Sequence, residues 1–190
     1  VIINKYKPLG GGDTLHASIS YYTVGLPGIN SLWVDVNPID SLWQLEQTHF
    51  NNIAEKSFYV KRDNTNPLLD VTFDGVHILD GDIVSAEPEV LVQLKDENQF
   101  LVLNDSNLLE VYLKNPGAAD ELHIPYDGTI LKFIPASLPE NKAKVEFRPG
   151  FTQDGTYQLR VRGKDASKNR SGDFEYVITF QVITRSTITY

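Results

Sequence analysis

Alternation of apolar and polar residues with a period of two runs through most of this 190-residue chain, and few folds satisfy it. In GTYQLRVRGKD (155–165), Tyr157, Leu159 and Val161 point one way while Gln158, Arg160 and Arg162 point the other. KAKVEFRP (142–149) sets Val145 and Phe147 against Lys144, Glu146 and Arg148. LLEVYLK (108–114) sets Leu109, Val111 and Leu113 against Glu110 and Lys114. A strand with one dry and one wet face belongs in an antiparallel sheet stacked on another. Further strands are expected in LHASISYYTV (15–24), SLWVDVNP (31–38), KSFYVKR (56–62), LLDVTFDG (68–75), EVLVQLKDE (89–97), TILKFIPAS (129–137) and FEYVITFQVITRSTITY (174–190). Turn clusters separate them: PLGGGD, GLPG, NPGAAD, YDG, RPGFTQDG and DASKNRSGD. Only LWQLEQTHFNN (42–52) hints at helix. The expected fold class is all-β, built from antiparallel β-sandwiches.

The totals exclude several functions. The net charge of −8 argues against a nucleic-acid partner held through phosphates. No apolar run approaches the roughly 20 residues that cross a bilayer as a helix, so no membrane insertion is expected. Cysteine is absent, which removes disulfides, thiolate metal sites and a cysteine nucleophile. Methionine is absent too, so Val1 is read as the start of a processed product or of a fragment.

The charge is uneven along the chain. Residues 1–62 carry five acids and five bases, but 63–97 carry nine acids and the single base Lys95. This shift coincides with KRDNTNPLLDV (61–71), where an Asn-rich turn stops at Pro67 and a new strand begins. We read a seam there: a first module over 1–62, a linker over 63–66 and a second module over 67–190. Pro67 fixes its own φ and restricts Asn66, which limits a hinge. Three or four strands are few for a module, so the first reads as incomplete, its opening strands lying upstream. In that case Leu15–Val24 or Ser31–Val36 has an unpaired edge.

DGTYQLRVRGKDASKNRSG (154–172) resembles the closing hairpin of bacterial immunoglobulin-like domains, through Asp154, Gly155, Tyr157, Leu159, Val161, Asp165, Asn169 and Ser171. Lys168 stands where that family usually has glycine. GINSLWVDVNPIDSLWQLEQTHFNNIAEKSFYV (28–60) resembles the later half of the CARDB adhesion-related module, through Asn37-Pro38, Glu46 and Asn51-Asn52. The pair, with NPLLDVTFDGVHILDGDIVSAEPEVLVQLKDEN (66–98), is similar to the region preceding the C-terminal sorting domain of type IX-secreted Bacteroidetes proteins, gingipain-like peptidases among them. VITRSTITY (182–190) resembles the linker into that sorting domain. The resemblance implies two tandem immunoglobulin-like antiparallel β-sandwich modules, the first incomplete, in a secreted or cell-surface bacterial protein.

Calcium is the cofactor these residues suit, because a hard cation takes oxygen ligands and Asp and Asn in turns supply them. Asp63, Asn64 and Asn66 in the RDNTNP turn are candidate ligands, with Asp70, Asp80, Asp82 or Asp165 joining from other loops. The same residues are ordinary turn formers, and Asp165 with Asn169 suits a turn before the last strand better than a metal. No EF-hand spacing is present. A glycan site needs exposed aromatics, for which Trp33, Trp43, Tyr21, Tyr22 and Tyr126 are the candidates, although strand aromatics are mostly core. For catalysis there is no nucleophile elbow, P-loop or zinc-binding His pair, and His16, His49, His77 and His123 are isolated. Acid pairs such as Asp80 and Asp82 are inevitable among 25 acids.

The expected role is therefore a non-catalytic spacer or adhesion-type module, positioning a catalytic or binding domain ahead of a sorting signal. Its partners are other domains of the parent polypeptide, and a cell-surface glycan or protein if it is instead a binding module. An accessory domain packed on a peptidase is the third class, and it requires a dry apolar patch on residues 1–62.

Overall fold

The computed structural model describes residues 2–7, 9–38, 45, 48–173 and 175–184. The chain is all-β and divides into two compact units, Val1–Arg62 and Asp63–Tyr190. Asp63–Asn66, read above as a linker, thus falls with the second unit.

In the first unit, β1 (Gly28–Asp35) and β2 (Ile53–Val60) form an antiparallel pair with Gly28 opposite Val60 and Asp35 opposite Ile53. A short 3-10 turn at Phe50–Asn52 leads into β2. The rest of the helical hint at 42–52 lies largely outside the described residues, as do Trp43, Glu46 and the end of the last expected strand. The pair forms a sheet of its own, so each strand keeps one unpaired edge among the described residues.

LHASISYYTV is not a strand, contrary to its alternating pattern. Alternation favours a strand only when another surface covers the apolar side. Leu15, Ile19 and Tyr21 are exposed, and no described residue of this unit is buried.

The second unit is a sandwich. One sheet has the order β3 (Leu68–Phe73), β5 (Val90–Lys95), β9 (Lys142–Phe147), β8 (Leu131–Ile134). The other runs β4 (Ile83–Val84), β11 (Tyr176–Val182), β10 (Gly155–Gly163), β6 (Leu109–Lys114), β7 (Leu122–His123). All pairings are antiparallel except β4 with β11, where Ile83 lies beside Gln181.

Register follows the alternation. Val90, Val92 and Leu94 of β5 and Val145 and Phe147 of β9 face Leu109, Val111 and Leu113 of β6 and Leu159 and Val161 of β10 across one buried core. At one end four rings close the gap between sheets. Phe73 meets Phe180 edge-on at 5.3 Å between centroids, and Phe151 lies 4.4 Å from Tyr157 and 5.6 Å from Phe180. The two-residue strands β4 and β7 are too short to show alternation, and only their partner strands define them.

On the wet face of β6 and β10, Arg160 sits 4.3 Å over the Tyr112 ring and Arg162 at 5.2 Å. Arg160 bonds Glu121 and Glu175, and Arg162 bonds Glu175 at 2.7 Å. The alternating arginines therefore form a charged lattice, consistent with a solvated sheet face.

Candidate metal centre

The inward register of β5 does not stop at Leu94. The next inward position is Asp96, and in β10 the series Leu159, Val161, Gly163 continues to Asp165. Both carboxylates therefore close the same end of the core, Asp96 at 3% and Asp165 at 0% exposure. The strands approach closely there: a Cβ on Gly163 would lie 2.9 Å from a Leu94 methyl. Asp63, half-buried at the entrance to the second unit, joins them. One carboxylate oxygen from each of Asp63, Asp96 and Asp165 lies within 4.8 Å of the others.

The surrounding bonds hold these groups in place. Asp165 Oδ1 accepts from the Asn169 backbone N–H at 2.7 Å, and Oδ2 accepts from Asn169 Nδ2 at 2.8 Å. Asn169 Nδ2 also reaches the Asp63 and Thr65 carbonyls, both at 3.2 Å. Asp63 Oδ2 accepts from Asn98 Nδ2 at 2.7 Å and from Ser167 Oγ at 3.4 Å, and Oδ1 accepts from the Thr65 N–H at 3.0 Å. Asp96 Oδ1 accepts from the Asn98 N–H at 3.2 Å. Asp96 Oδ2 is buried and accepts no hydrogen bond from any described residue. Burial pushes the Asp96 carboxyl up from its ordinary range, the Asn98 N–H opposes this, and the charges of Asp165 and Asp63 add to it. Among the described residues, none of the three acids takes part in an ion pair.

Of the carboxylate ligands expected from sequence, the structure brings Asp63 and Asp165 together and leaves Asp70, Asp80 and Asp82 outside the cluster. Asn64 and Asn66 are exposed. Asp80 accepts from the Thr179 N–H and Asp82 from the Leu79 N–H, both at 2.8 Å, so each fixes the turn before β4. Asp70 pairs with His77 at 2.7 Å. Asp165 and Asn169 do fix their turn, and the same bonds carry them to Asp63. Sequence reasoning missed Asp96. The signal was the alternation itself, which puts a carboxylate on the inward register after Val90, Val92 and Leu94.

The aromatic candidates separate as well. Tyr126 is half-buried; its hydroxyl donates to the Leu109 carbonyl at 2.7 Å and its ring meets Phe133 edge-on. Tyr21 lies against Phe58 at 5.9 Å, while Tyr22 and Trp33 are exposed. A surface depression of about 460 Å³ lies over polar side chains of the β3–β5–β9–β8 sheet, Lys142, Lys144 and Glu146 among them.

Neither a family model nor a curated protein sequence matches this chain.

Proposed function

We propose that this chain is a non-catalytic structural segment of a larger secreted or cell-surface bacterial protein. Its second unit is an immunoglobulin-like spacer that holds a catalytic or binding domain ahead of a C-terminal sorting signal. The strand orders β3-β5-β9-β8 and β11-β10-β6 parallel the ABED and GFC sheets of such domains.

One observation carries the reading: acids in the loops are engaged in fixing backbone turns. Asp127 Oδ1 accepts from the N–H groups of Thr129, Ile130 and Leu131. Asp74 accepts from the Glu89 N–H at 2.8 Å, and Asp105 from the Asn107 N–H at 2.9 Å. Loops tied in this way hold a rigid shape, which a spacer requires and a closing active site does not.

A second reading rests on the hairpin of the first unit. Ile29 faces Tyr59 and Asp35 faces Ile53, with Trp33 on the same side of β1. Ile29, Trp33, Ile53 and Tyr59 are all exposed. Such a face suits a glycan- or protein-binding module, or an accessory segment packed on a peptidase domain of the same polypeptide.

The discriminating experiment presents the 190-residue chain to a glycan array and to peptide and glycoside substrates. The spacer reading expects neither turnover nor saturable binding. Saturable binding abolished by Trp33→Ala would replace it with the second reading, and turnover would sink both.

A further inference from the structure

We propose that Asp63, Asp96 and Asp165 bind a divalent hard cation, calcium, at the end of the sandwich where β5 and β10 finish. The inference stands apart from the spacer reading, since it rests on the chemistry of one cluster. Three carboxylates meet where two are almost fully buried, and ionised groups removed from water need a compensating charge. No described basic side chain supplies it through an ion pair.

The neighbouring amides already donate to Asp63 and Asp165, so oxygens of both have hydrogen-bond partners. That leaves Asp96 Oδ2, buried with no hydrogen-bond donor. An isolated acid cluster on a wet surface would not raise this demand; a shielded, unpartnered oxygen among three acids does.

The donor set selects the ion. It consists of carboxylates, with the Asp63 and Thr65 backbone carbonyl oxygens close by and no sulfur or imidazole in the cluster, which suits a hard cation over zinc or copper. Calcium–oxygen distances of about 2.3–2.6 Å let one ion touch oxygens up to roughly 5 Å apart. The 4.8 Å limit on the cluster lies within that span. Magnesium holds its ligands at about 2.0–2.1 Å and in stricter geometry, so it fits less well. Bound there, the ion would tie the start of the second unit (Asp63) to the ends of β5 and β10, one from each sheet.

The test is calorimetric titration of the chelator-stripped 190-residue chain with calcium chloride to about 10 mM, with thermal melts alongside. One site is expected, with a melting midpoint raised by about 5–10 °C once calcium is a hundredfold above its dissociation constant. Asp96→Asn keeps the shape and removes one buried charge. It should lose the calcium-dependent rise, yet in chelator melt no lower than chelated wild type, because repulsion from Asp63 and Asp165 is relieved. Should Asp96→Asn fail to fold, Asp63→Asn at the half-exposed position must likewise lose the rise. No heat and no shift for wild type overturns the proposal and leaves a protonated Asp96 as the account of the cluster. A rise that survives the substitutions overturns it as well, and an equal response to magnesium overturns the choice of calcium.

Discussion

Asn141 is fully buried, and its side chain holds two loops together. Its Oδ1 accepts from the Leu103 N–H at 2.9 Å, and its Nδ2 donates to the Asn98 carbonyl at 2.7 Å and the Leu101 carbonyl at 3.0 Å. Its backbone carbonyl accepts from the Asp96 N–H at 3.1 Å, so the residue also positions the loop that carries Asp96. Replacing it with alanine strands one buried donor and two carbonyls. A fully buried orphan such as the Leu103 N–H costs about 1–3 kcal/mol, and the half-buried carbonyls cost less because water reaches them. Asn141 also has φ +43°, where alanine is disfavoured by about 1 kcal/mol more. The sum is about 3–5 kcal/mol, a large part of the roughly 5–15 kcal/mol that holds a domain folded. Urea denaturation followed by far-ultraviolet circular dichroism measures it, with an unchanged slope expected if the unfolded state is unaffected. Asn141→Gly isolates the side-chain part: it removes the backbone penalty and should still show most of that loss. A loss below about 1 kcal/mol for Asn141→Ala would refute the account, because the three bonds would then be replaceable by water.

Two other outcomes follow from single residues. Lys168 has φ +69° with its N–H donating to the Asp165 carbonyl, so Lys168→Gly should stabilise the second unit by about 0.5–1 kcal/mol, read as a higher urea midpoint; an unchanged or lower midpoint counts against the backbone argument. Hydrogen bonds from Arg160, and secondarily Arg162, hold the Glu175 carboxyl below its ordinary range. A folded-state pKa lowered in this way gives stability that is present above the unfolded value, near 4.5, and lost as pH falls through the lower folded value. Wild type and Glu175→Gln should therefore have converging midpoints in acid and separate above about pH 5, by less than about 1 kcal/mol because the pair is solvent-screened. A gap that widens in acid would contradict the sign.

The strands of the second unit were largely legible because their alternation is enforced by burial. β5, β6, β9 and β10 each bury every other residue, and that period is written directly in residue type. The same pattern misled at Leu15–Val24, where Leu15, Ile19 and Tyr21 stay exposed. The composition shift at Asp63 marked a seam, yet bonds from Asn98 and Asn169 attach the supposed linker to the second unit. Asp63 and Asp165 could be named as oxygen donors from turn chemistry. That they meet each other and Asp96 could not, since 33 and 69 residues separate consecutive members, and only the stacking of two sheets closes those intervals. Local preference, read along the chain, determined the fold class and most strand positions. Which carboxylates share one buried end, and which aromatics remain in water, was decided by tertiary packing, because burial depends on what the rest of the chain places opposite.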